Sequence, residues 1–308
     1  MTPLVSVTLP CYRQLDLLHR SLDSIRAQTF TNLEITLLDD GSSDEYREYV
    51  ADLGDSRVRY HRNEARLGAM NNMFAAITRG RGDYTMAFHE DDLLLAGYIA
   101  TAVGIMETTR SCGFVSCQLR EFTDEPTQAD LKQETEPAAY EQFESSADFV
   151  RGVLRGAEPM FGSVVYRRTA LADVQPDHET YATLVDRPFL LSIMGHGWTA
   201  AHIRDRLVWY RHHGEGDTRH LAMTSDHVLN LLRTYKSALQ GSSKEDAALF
   251  FSYSGYWLFE LYRLTPPGQR PPVWKFLLRA WRQGLYNPRA RGRYGVRQIQ
   301  RALLNRTS

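Results

Sequence analysis

The sequence predicts an α/β protein with a mostly parallel, Rossmann-like sheet flanked by helices, followed by a helical extension at the C-terminus. Short, β-branched apolar runs alternate with segments of helical periodicity over the first 95 residues, and this alternation is typical of parallel sheets with crossover helices. The 308 residues are also enough for one large α/β domain with a small appendage.

The first half of the chain has the clearest pattern. Residues 4–10 are apolar and β-branched and end at a proline, as a short buried strand does. After them, Leu15, Leu18 and Leu22 recur at helical spacing. We predict strands at residues 4–10, 33–38, 58–61 and 84–88, with helices at residues 15–28, 44–53 and 69–78.

The pattern weakens after residue 95. Residues 121–148 are acidic with little periodicity, and we interpret them as an insertion or a mobile loop. Strands are predicted at residues 160–166 and 207–211, and helices at residues 189–194, 225–239 and 247–264. A proline-rich linker at residues 265–272 precedes two basic amphipathic helices.

The composition excludes several classes of protein. Lys and Arg total 36 against 37 acidic residues, and no nucleic-acid-binding module is recognisable, so we expect no nucleic-acid partner. The 3 cysteines lack the spacing of a zinc site or a disulfide framework. The sequence opens on a strand-like run rather than a signal peptide, and no apolar run reaches the ~18–20 residues of a spanning helix. We therefore expect a cytoplasmic protein.

Three groups of candidate site residues stand at the ends of predicted strands, at residues 10–12, 39–40 and 89–92. In open α/β sheets ligands bind beyond the carboxyl ends of the strands, so these three groups should converge on one edge. The group at residues 89–92 contains three adjacent acids, which are costly to bury unless they are paired or coordinate a metal. A divalent cation at this edge would offset their charge.

Several motifs together resemble the family-2 glycosyltransferases with the GT-A nucleotide-sugar fold. The resemblance covers roughly residues 4–214. The motifs are "VSVTLPCYRQLDLLHRSLDSIRAQTFTNLEITLLDDGSSDEY" at residues 5–46, "RLG" at 66–68 with Asn72, "HEDD" at 89–92, "FGSVVYRR" at 161–168, "VDRPFLLSIMGHG" at 185–197 and "YRHHG" at 210–214.

The resemblance implies a nucleotide site at the ends of the first strands. Pro10 and Tyr12 would hold the base, Tyr12 by stacking, and Asp40 would accept a hydrogen bond from it. Asp39 would orient the Asp40 carboxylate. Arg66 would reach the nucleotide, and Asn72 belongs to the same donor-binding segment.

The "HEDD" stretch overlies the Asp-x-Asp-Asp signature of the family. Asp91 would be the direct ligand of Mn²⁺ or Mg²⁺, and Glu90 and Asp92 would lie on the donor side, Asp92 close to the sugar. His89 departs from the pattern, because it stands where the first aspartate usually is; its imidazole would donate to a ribose hydroxyl or to a neighbouring carboxylate. His213 would supply a further metal ligand.

The resemblance also implies a general base for inverting transfer. Asp186 matches the second acid of the family's Glu-Asp signature, whereas Val185 replaces the first acid and Arg187 follows directly. Glu179 is the next candidate for this role.

These inferences predict a metal-dependent inverting hexosyltransferase. It would move a sugar from a nucleoside-diphosphate sugar, with a UDP-sugar as the favoured donor, to a hydroxyl of a glycan or lipid-linked acceptor in surface polysaccharide biosynthesis. The predicted catalytic domain is residues 1–220, with a nucleotide-binding half at 1–95 and an acceptor-binding half at 96–220, and residues 221–308 form a helical region. A sugar nucleotidyltransferase is disfavoured, because residues 10–14 contain no glycine. A catalytically inactive carbohydrate-binding or scaffolding protein is the other alternative.

Each site residue also has a structural alternative. Asp39 and Asp40 could belong to a simple turn, and residues 89–92 to a helix start. Asp186 and Arg187 could form a local ion pair, Tyr12 could pack, and His212 or His213 could lie on the surface.

The C-terminal segment gives a separate prediction. Residues 265–308 contain 10 Lys and Arg and no acid, with Trp274 and Trp281 among the apolar positions. Tryptophan combined with Lys and Arg on a helix is typical of helices that lie in a membrane interface, so an anionic membrane surface on the cytoplasmic side is a candidate partner. The alternative is packing of these aromatics on the protein's own core or on a second subunit of a homo-oligomer.

Overall fold

The computed structural model describes residues 2–124, 126–127, 139–212, 224–241, 243–264 and 272–288. The strands are β1 (Val5–Cys11), β2 (Leu33–Asp39), β3 (Val58–Arg62), β4 (Tyr84–Ala87), β5 (Leu93–Leu94), β6 (Cys112–Phe122), β7 (Tyr140–Phe143), β8 (Val164–Arg167) and β9 (Thr199–Arg211). The α-helices are α1 (Leu15–Arg26), α2 (Glu45–Leu53), α3 (Ala69–Thr78), α4 (Tyr98–Thr108), α5 (Ser146–Leu154), α6 (His178–Tyr181), α7 (Asp186–Gly195), α8 (Ser225–Ala238), α9 (Lys244–Leu264) and α10 (Val273–Arg282).

All nine of these strands form one sheet in the order β3-β2-β1-β4-β8-β6-β9-β5, with β7 also paired to β9. The first four strands are parallel to one another, as the alternation of strands and helices predicts. Strand β8 is antiparallel to both of its neighbours, and β6 and β9 are again parallel. The predicted α/β class, with a largely parallel central sheet flanked by helices, is confirmed.

The core lies between this sheet and its helices. Val5, Val7 and Leu9 alternate with buried small polar residues along β1, because a central strand is covered on both faces. Leu18 and Leu22 of α1 are fully buried against the sheet, and each such side chain contributes ~1.5–3 kcal/mol on burial. This packing fixes the strands whose carboxyl ends carry the polar groups.

Several elements after residue 92 differ from the sequence prediction. The segment 121–148, interpreted as an insertion or a mobile loop, contains the end of β6, strand β7 and the start of α5, and β5 and α6 were not predicted either. Strand β9 runs from Thr199, well before the predicted start at residue 207, and residues 161–163 form a 3₁₀ turn before β8 begins. Helix α4 and strand β6 were not predicted. Helix α4 is apolar on most of its faces and therefore shows little periodicity, and most of β6 is buried as a continuous run.

The chain divides into two compact units. The first comprises residues 1–145, 157–176 and 189–220, and includes the whole sheet; the second comprises residues 146–156, 177–188 and 221–308. The second unit thus includes two segments, 146–156 and 177–188, that precede the boundary we predict at residue 220. Within the second unit, Tyr181 and Thr234 are hydrogen bonded at 2.8 Å, and Arg151 pairs with Asp246 at 3.1 Å. Among the described residues, no helix is both long enough and apolar enough to cross a membrane.

Candidate active site

The candidate site is built at the carboxyl ends of the parallel strands in the first unit. The last residues of β1 and β2 are in register, with Cys11 opposite Asp39, and the Asp40 N–H donates to the Cys11 carbonyl at 3.0 Å. On the other side of β1, the Phe88 N–H after β4 donates to the Thr8 carbonyl at 2.9 Å. The polar residues that follow β1, β2 and β4 therefore share one edge of the sheet, as the sequence predicts.

Asp40 holds the loop between β3 and α3. Its carboxylate is buried and accepts hydrogen bonds from the Leu67 N–H at 2.7 Å, the Gly68 N–H at 2.7 Å and the Asn63 side-chain amide at 2.9 Å. Gly68 has a φ of +81°, a conformation that glycine adopts without strain. Because the two residues that follow Arg66 are both bonded to this carboxylate, Asp40 fixes the backbone from which Arg66 extends.

Two other residues that are predicted to bind the nucleotide-sugar donor, Asn72 and Asp39, are buried in the same hydrogen-bond network. Asn72 donates to the Leu38 carbonyl at 3.1 Å and accepts from the Asn63 side chain at 2.9 Å. Asp39 accepts from the Ser42 N–H at 2.8 Å and from the Tyr60 hydroxyl at 2.7 Å. Burial and the hydrogen bond to Asp39 raise the pKa of Tyr60 to about 12, so the phenol remains a donor.

Tyr12 lies at the exit of β1, close to two arginines. The guanidinium carbon of Arg66 is 4.1 Å from the centre of the Tyr12 ring, and that of Arg13 is 5.0 Å away. Both separations are within the range of cation–π attraction. A cavity of about 400 Å³ opens beside them, lined by Arg13, Leu15, Gly41, Ser42, Ser43, Glu45 and Tyr46. Its size is within the range of small-molecule sites.

Glu90 connects the acidic loop after β4 to the exit of β1. Its carboxylate accepts from the Tyr12 N–H at 2.8 Å and from the Tyr46 hydroxyl at 3.2 Å, and that hydroxyl accepts from the Gln14 N–H at 2.7 Å. Burial and the neighbouring Glu90 charge raise the pKa of Tyr46, which keeps its proton. Glu90 thus joins β1, α2 and the β4 loop.

Asp92 and Arg211 hold the other end of the acidic loop. The Asp92 carboxylate, which is 1% exposed, lies 2.9 Å from Nδ1 of His89 and accepts from the Arg211 N–H at 2.9 Å. Nε of Arg211 donates to the Asp91 carbonyl at 2.8 Å, while its guanidinium covers the Phe122 ring at 4.6 Å. Burial raises the pKa of Asp92 and Asp91 adds to the rise, whereas His89 and the Arg211 N–H oppose it.

His89, Asp91 and Asp92 form the candidate metal centre. Each offers one ligand atom, and the three atoms lie within 4.8 Å of one another. One imidazole nitrogen and two carboxylates form a donor set that fits Mn²⁺ and tolerates Mg²⁺, which prefers oxygen ligands. A cation here would also relieve the repulsion between Asp91 and Asp92.

Pro10, Asp186 and Glu179 are not among the three residues of this cluster. Pro10 is half-buried within β1. Asp186 is half-buried at the first position of α7, in a segment that belongs to the second unit, and Arg187 beside it donates to the Tyr253 hydroxyl at 3.3 Å. Glu179 is exposed on α6. His213 lies outside the described residues.

Sequence reasoning missed the residues that hold the loops. Each of four such residues contacts a predicted site carboxylate or its backbone: Tyr46, Asn63, Tyr60 and Arg211. Tyr46 and Arg211 fall within quoted motifs, but no role follows from the motif for either. A usable signal was the position of Arg211 at the end of a predicted strand, because an arginine that becomes buried there is almost always paired.

A largely parallel sheet with an aromatic residue and acidic groups at its carboxyl edge is the arrangement of the GT-A fold. The family model described as "Glycosyl transferase family 2" matches residues 6–173, more than half of the chain. The chain therefore belongs to glycosyl transferase family 2. The matched segment includes the polar groups after β1, β2 and β4 and ends before Asp186.

Curated relatives support this assignment over shorter stretches. The chain is 32% identical over 102 residues to the GalNAc(5)-diNAcBac-PP-undecaprenol beta-1,3-glucosyltransferase of Campylobacter jejuni, covering 32% of this chain and 33% of that protein. It is 30% identical over 103 residues to the UDP-Glc:alpha-D-GlcNAc-diphosphoundecaprenol beta-1,3-glucosyltransferase WfgD of Escherichia coli, covering 33% and 41%. The matches thus span between a third and two-fifths of these relatives.

Solved structures show the same fold at low identity. The TarS 1–349 protein of S. aureus in complex with UDP superposes with a TM-score of 0.63 at 13% identity, covering 94% of this chain and 85% of that one. The mannosyltransferase PcManGT of Pyrobaculum calidifontis, in complex with GDP-Man and Mn²⁺, gives a TM-score of 0.54 at 17% identity, covering 100% and 88%.

Proposed function

We propose that this glycosyltransferase performs metal-dependent, inverting transfer of a sugar from a nucleoside-diphosphate sugar, with a UDP-sugar as the donor, to a hydroxyl of a glycan or lipid-linked acceptor. The observation that carries the proposal is the convergence of Tyr12, the Asp40 loop and the cluster of His89, Asp91 and Asp92 on one sheet edge. A nucleotide base, a diphosphate and a cation need these three kinds of group side by side.

The nucleobase of the sugar donor is assigned to the surface around Tyr12. An aromatic face stacks on a nucleobase whatever the base, and the guanidinium of Arg66 at 4.1 Å from the ring is close enough to move onto the phosphates or the base. The buried bonds of Asp39, Asn72 and Glu90 support a positioning role for these residues, with Asp40 fixing the Arg66 loop. Pro10, half-buried in β1 beside the buried Cys11, is assigned to the same base-binding surface as Tyr12.

The metal, Mn²⁺ or Mg²⁺, is assigned to Asp91 with its neighbours. A cation bound there supplies charge stabilisation to the departing nucleoside diphosphate. Asp92, tied to the Arg211 N–H and to His89, keeps a fixed carboxylate beside Asp91 on the sugar side. His213 stands two residues after Arg211, the last residue of β9, and it stays a proposed metal ligand.

The general base is assigned to Asp186. In inverting transfer a carboxylate removes the proton of the attacking acceptor hydroxyl while the leaving group departs from the opposite face of the sugar. Asp186 begins α7, so its position is fixed by a helix rather than a loop. Its neighbour Arg187 contacts the Tyr253 hydroxyl, and the Arg187 guanidinium lies 6.0 Å from the centre of the Trp257 ring.

The acceptor is assigned to the lipid-linked class. The Campylobacter jejuni and Escherichia coli relatives carry undecaprenol-linked acceptors in their names, and a further relative is a putative colanic acid biosynthesis glycosyl transferase, WcaA of Escherichia coli. A role in surface polysaccharide assembly follows from these likenesses.

Helix α10 supports a position on an anionic membrane surface. Phe276 and Ala280 face inward and are buried, whereas Trp274 and Trp281 are 60% and 56% exposed. These two tryptophans are seven residues apart and thus share one helix face, with the exposed Lys275 beside them. Exposed tryptophan next to a cation is the composition of an interfacial helix, and each basic residue adds ~1 kcal/mol near an anionic leaflet.

Release of free UDP from a panel of UDP-sugars, with Mn²⁺ and with chelator, tests the proposed reaction. Asp91→Ala should abolish release and metal-dependent UDP binding, while the exposed control Asp52→Ala should behave as the parent chain. A nucleotidyltransferase would instead release pyrophosphate from a nucleoside triphosphate and a sugar phosphate, and an inactive binding protein would release neither. Near-normal activity of Asp91→Ala would show that Asp91 is not the metal ligand and that the proposed metal centre is wrong.

A further inference from the structure

The residue that follows the proposed base is an arginine packed among aromatic side chains. Arg187 stands directly after Asp186 in the first turn of α7 and donates to the Tyr253 hydroxyl at 3.3 Å. Its guanidinium carbon lies 6.0 Å from the centre of the Trp257 ring, at the outer limit of cation–π attraction. Residues 177–188 and α9 both belong to the second unit, so these contacts are internal to that unit.

The aromatic side chains come from one face of α9. Tyr253 and Trp257 are four residues apart, and their ring centres are separated by 6.2 Å. Tyr256 meets the Trp257 ring edge-on at 6.4 Å. Tyr253 is 5% exposed, whereas Trp257 and Tyr256 are only half-buried. Tyr253 is therefore the inner support of this group, and Trp257 retains exposed surface that a ligand can contact.

Asp186 lies near the same group of side chains. Tyr235 of α8 is fully buried beside Tyr253, with the two ring centres 6.0 Å apart. Burial raises the pKa of the Tyr235 hydroxyl, Arg187 lowers it, and the charge of Asp186 raises it again, so both charged residues lie near this one phenol. Asp186 and Arg187 are themselves half-buried, and each keeps part of its surface exposed.

The position of the base determines which side chains meet the acceptor. Because Asp186 is the proposed base, the acceptor hydroxyl must lie against its carboxylate during transfer. Consecutive Cα atoms are ~3.8 Å apart, so the sugar that carries this hydroxyl comes within reach of the longer Arg187 side chain. An aromatic ring packs against the apolar C–H face of a sugar ring, and a guanidinium forms paired hydrogen bonds with phosphate or carboxylate oxygens.

We propose that Arg187 and Trp257 form the acceptor-sugar site of this protein, and that the site takes a sugar whose attacked ring carries a phosphate or carboxylate group. The inference rests on the proposed function, in which Asp186 is the base, and it specifies the acceptor. Trp257 packs on the sugar ring and Arg187 pairs with the oxyanion, while Asp186 meets the attacked hydroxyl. A sugar joined directly to a diphosphate carries such an oxyanion, and so does a uronic acid. A neutral sugar further along a glycan does not.

The test uses the full chain saturated with UDP and Mn²⁺, so that the donor site is occupied. Three sets of soluble probes are compared: hexose and N-acetylhexosamine 1-phosphates, methyl glycosides of hexuronic acids, and neutral methyl glycosides of the same sugars. Calorimetry measures affinity, and the indole N–H resonance of Trp257, assigned with Trp257→Phe, reports binding at this site. We expect one charged set to bind more tightly than the neutral set by on the order of tenfold or more, and to shift this resonance. The set that does so distinguishes phosphate from carboxylate.

Variants of the two residues make the result specific. Arg187→Gln should lower the affinity for charged probes to that for neutral ones, and Arg187→Lys, which keeps the charge but not the planar fork, should be intermediate. Trp257→Leu should weaken charged and neutral probes alike, and Trp257→Phe should weaken them less. The matched controls are Arg155→Gln, exposed just after α5, and Phe251→Leu, half-buried on α9, and both should bind all probes as the parent chain does. UDP affinity, measured separately, shows that each variant is folded.

The outcomes separate this inference from the proposed function. Equal affinity for charged and neutral probes, no binding of any charged probe, or a charge preference that survives in Arg187→Gln would overturn the inference and leave the proposed reaction intact. A charged probe that binds without shifting the Trp257 resonance would also overturn it, because the anion would then bind elsewhere. A normal turnover rate in Asp186→Asn, with the charge preference lost in Arg187→Gln, would keep the acceptor site and remove the proposed base.

Discussion

The backbone N–H of Tyr12 donates a hydrogen bond of 2.8 Å to the carboxylate of Glu90, which joins the exit of β1 to the acidic loop after β4. The same carboxylate accepts from Tyr46 of α2. Glu90 lies between the surface proposed for the base and the cluster proposed for the metal. Its buried bonds explain why an acid can stand beside Asp91 without being a ligand itself.

We expect Glu90→Ala to weaken UDP binding and to lower the free energy of unfolding. The substitution leaves the Tyr12 N–H and the Tyr46 hydroxyl without their acceptor, and an unsatisfied buried donor costs ~1–3 kcal/mol. Glu90→Gln, which keeps one acceptor oxygen, should be milder in both respects. Urea unfolding and UDP titration measure the two effects, with the exposed Glu64→Ala as control. Unchanged UDP affinity in Glu90→Ala would show that UDP binding does not depend on the hydrogen bond between the Tyr12 N–H and Glu90.

Asp186→Asn should leave donor binding intact and lower the turnover rate by the ~10²–10⁴-fold typical of losing a general base. The amide keeps the size of the side chain but cannot take a proton at neutral pH. Single-turnover rates and UDP affinity, measured on the same preparation, separate the two effects. Glu179→Gln is the matched comparison, since Glu179 is the second candidate and is exposed on α6. A normal rate in Asp186→Asn with a slow Glu179→Gln would transfer the role. Product NMR should show the anomeric configuration inverted relative to the donor.

Stability should fall as the pH is lowered from about 6.5 toward about 4 because of His202. This side chain is buried in β9 between Ser116 at 2.9 Å and Gln118 at 3.0 Å, and burial lowers its pKa to about 4. On acidification, His202 is protonated near pH ~6.5 in the unfolded chain but only near its lowered pKa in the folded chain. The neutral histidine thus contributes stability above pH ~6.5, and about 3 kcal/mol is lost on acidification.

Urea unfolding of the parent chain and of His202→Gln at several pH values between 7 and 4.5 measures this contribution. The parent should lose stability over this range with a steeper slope than the variant, because glutamine does not titrate. Identical slopes would mean that His202 is protonated in the folded chain or that its pKa is not lowered by burial.

The full chain should float with anionic vesicles at low salt and be released at high salt. Replacement of both exposed tryptophans of α10, Trp274→Gln with Trp281→Gln, should reduce flotation strongly without changing UDP release from a water-soluble donor. The exposed aromatic Tyr140 in β7 serves as control in Tyr140→Ser. If the parent chain does not float, or if the double variant floats equally well, the membrane role of α10 is lost. A parent dimer that the double variant dissociates would assign the tryptophans to a second subunit instead.

The strands and helices of the first half were predictable from the sequence, because each buried strand there is a short apolar run and each helix has one apolar face. The convergence of residues 10–12, 39–40 and 89–92 followed from the parallel order of their strands. The second half was harder. Helix α4 is apolar nearly all round and β9 begins in small residues, so neither shows the period that a half-exposed element shows.

The sequence by itself determined the family, the parallel half of the sheet and the residues that stand at its carboxyl edge, because local periodicity and short motifs encode these directly. The tertiary structure alone decided which of those residues hold the loops. Asp40 bonds to Leu67 and Gly68, and Glu90 bonds to Tyr12, across separations of 27, 28 and 78 residues. Such pairings depend on how strands and loops come together in space. Hydrogen-bond partners distant in sequence leave no periodic trace, and a carboxylate that binds a ligand has the same letter as one that holds a loop.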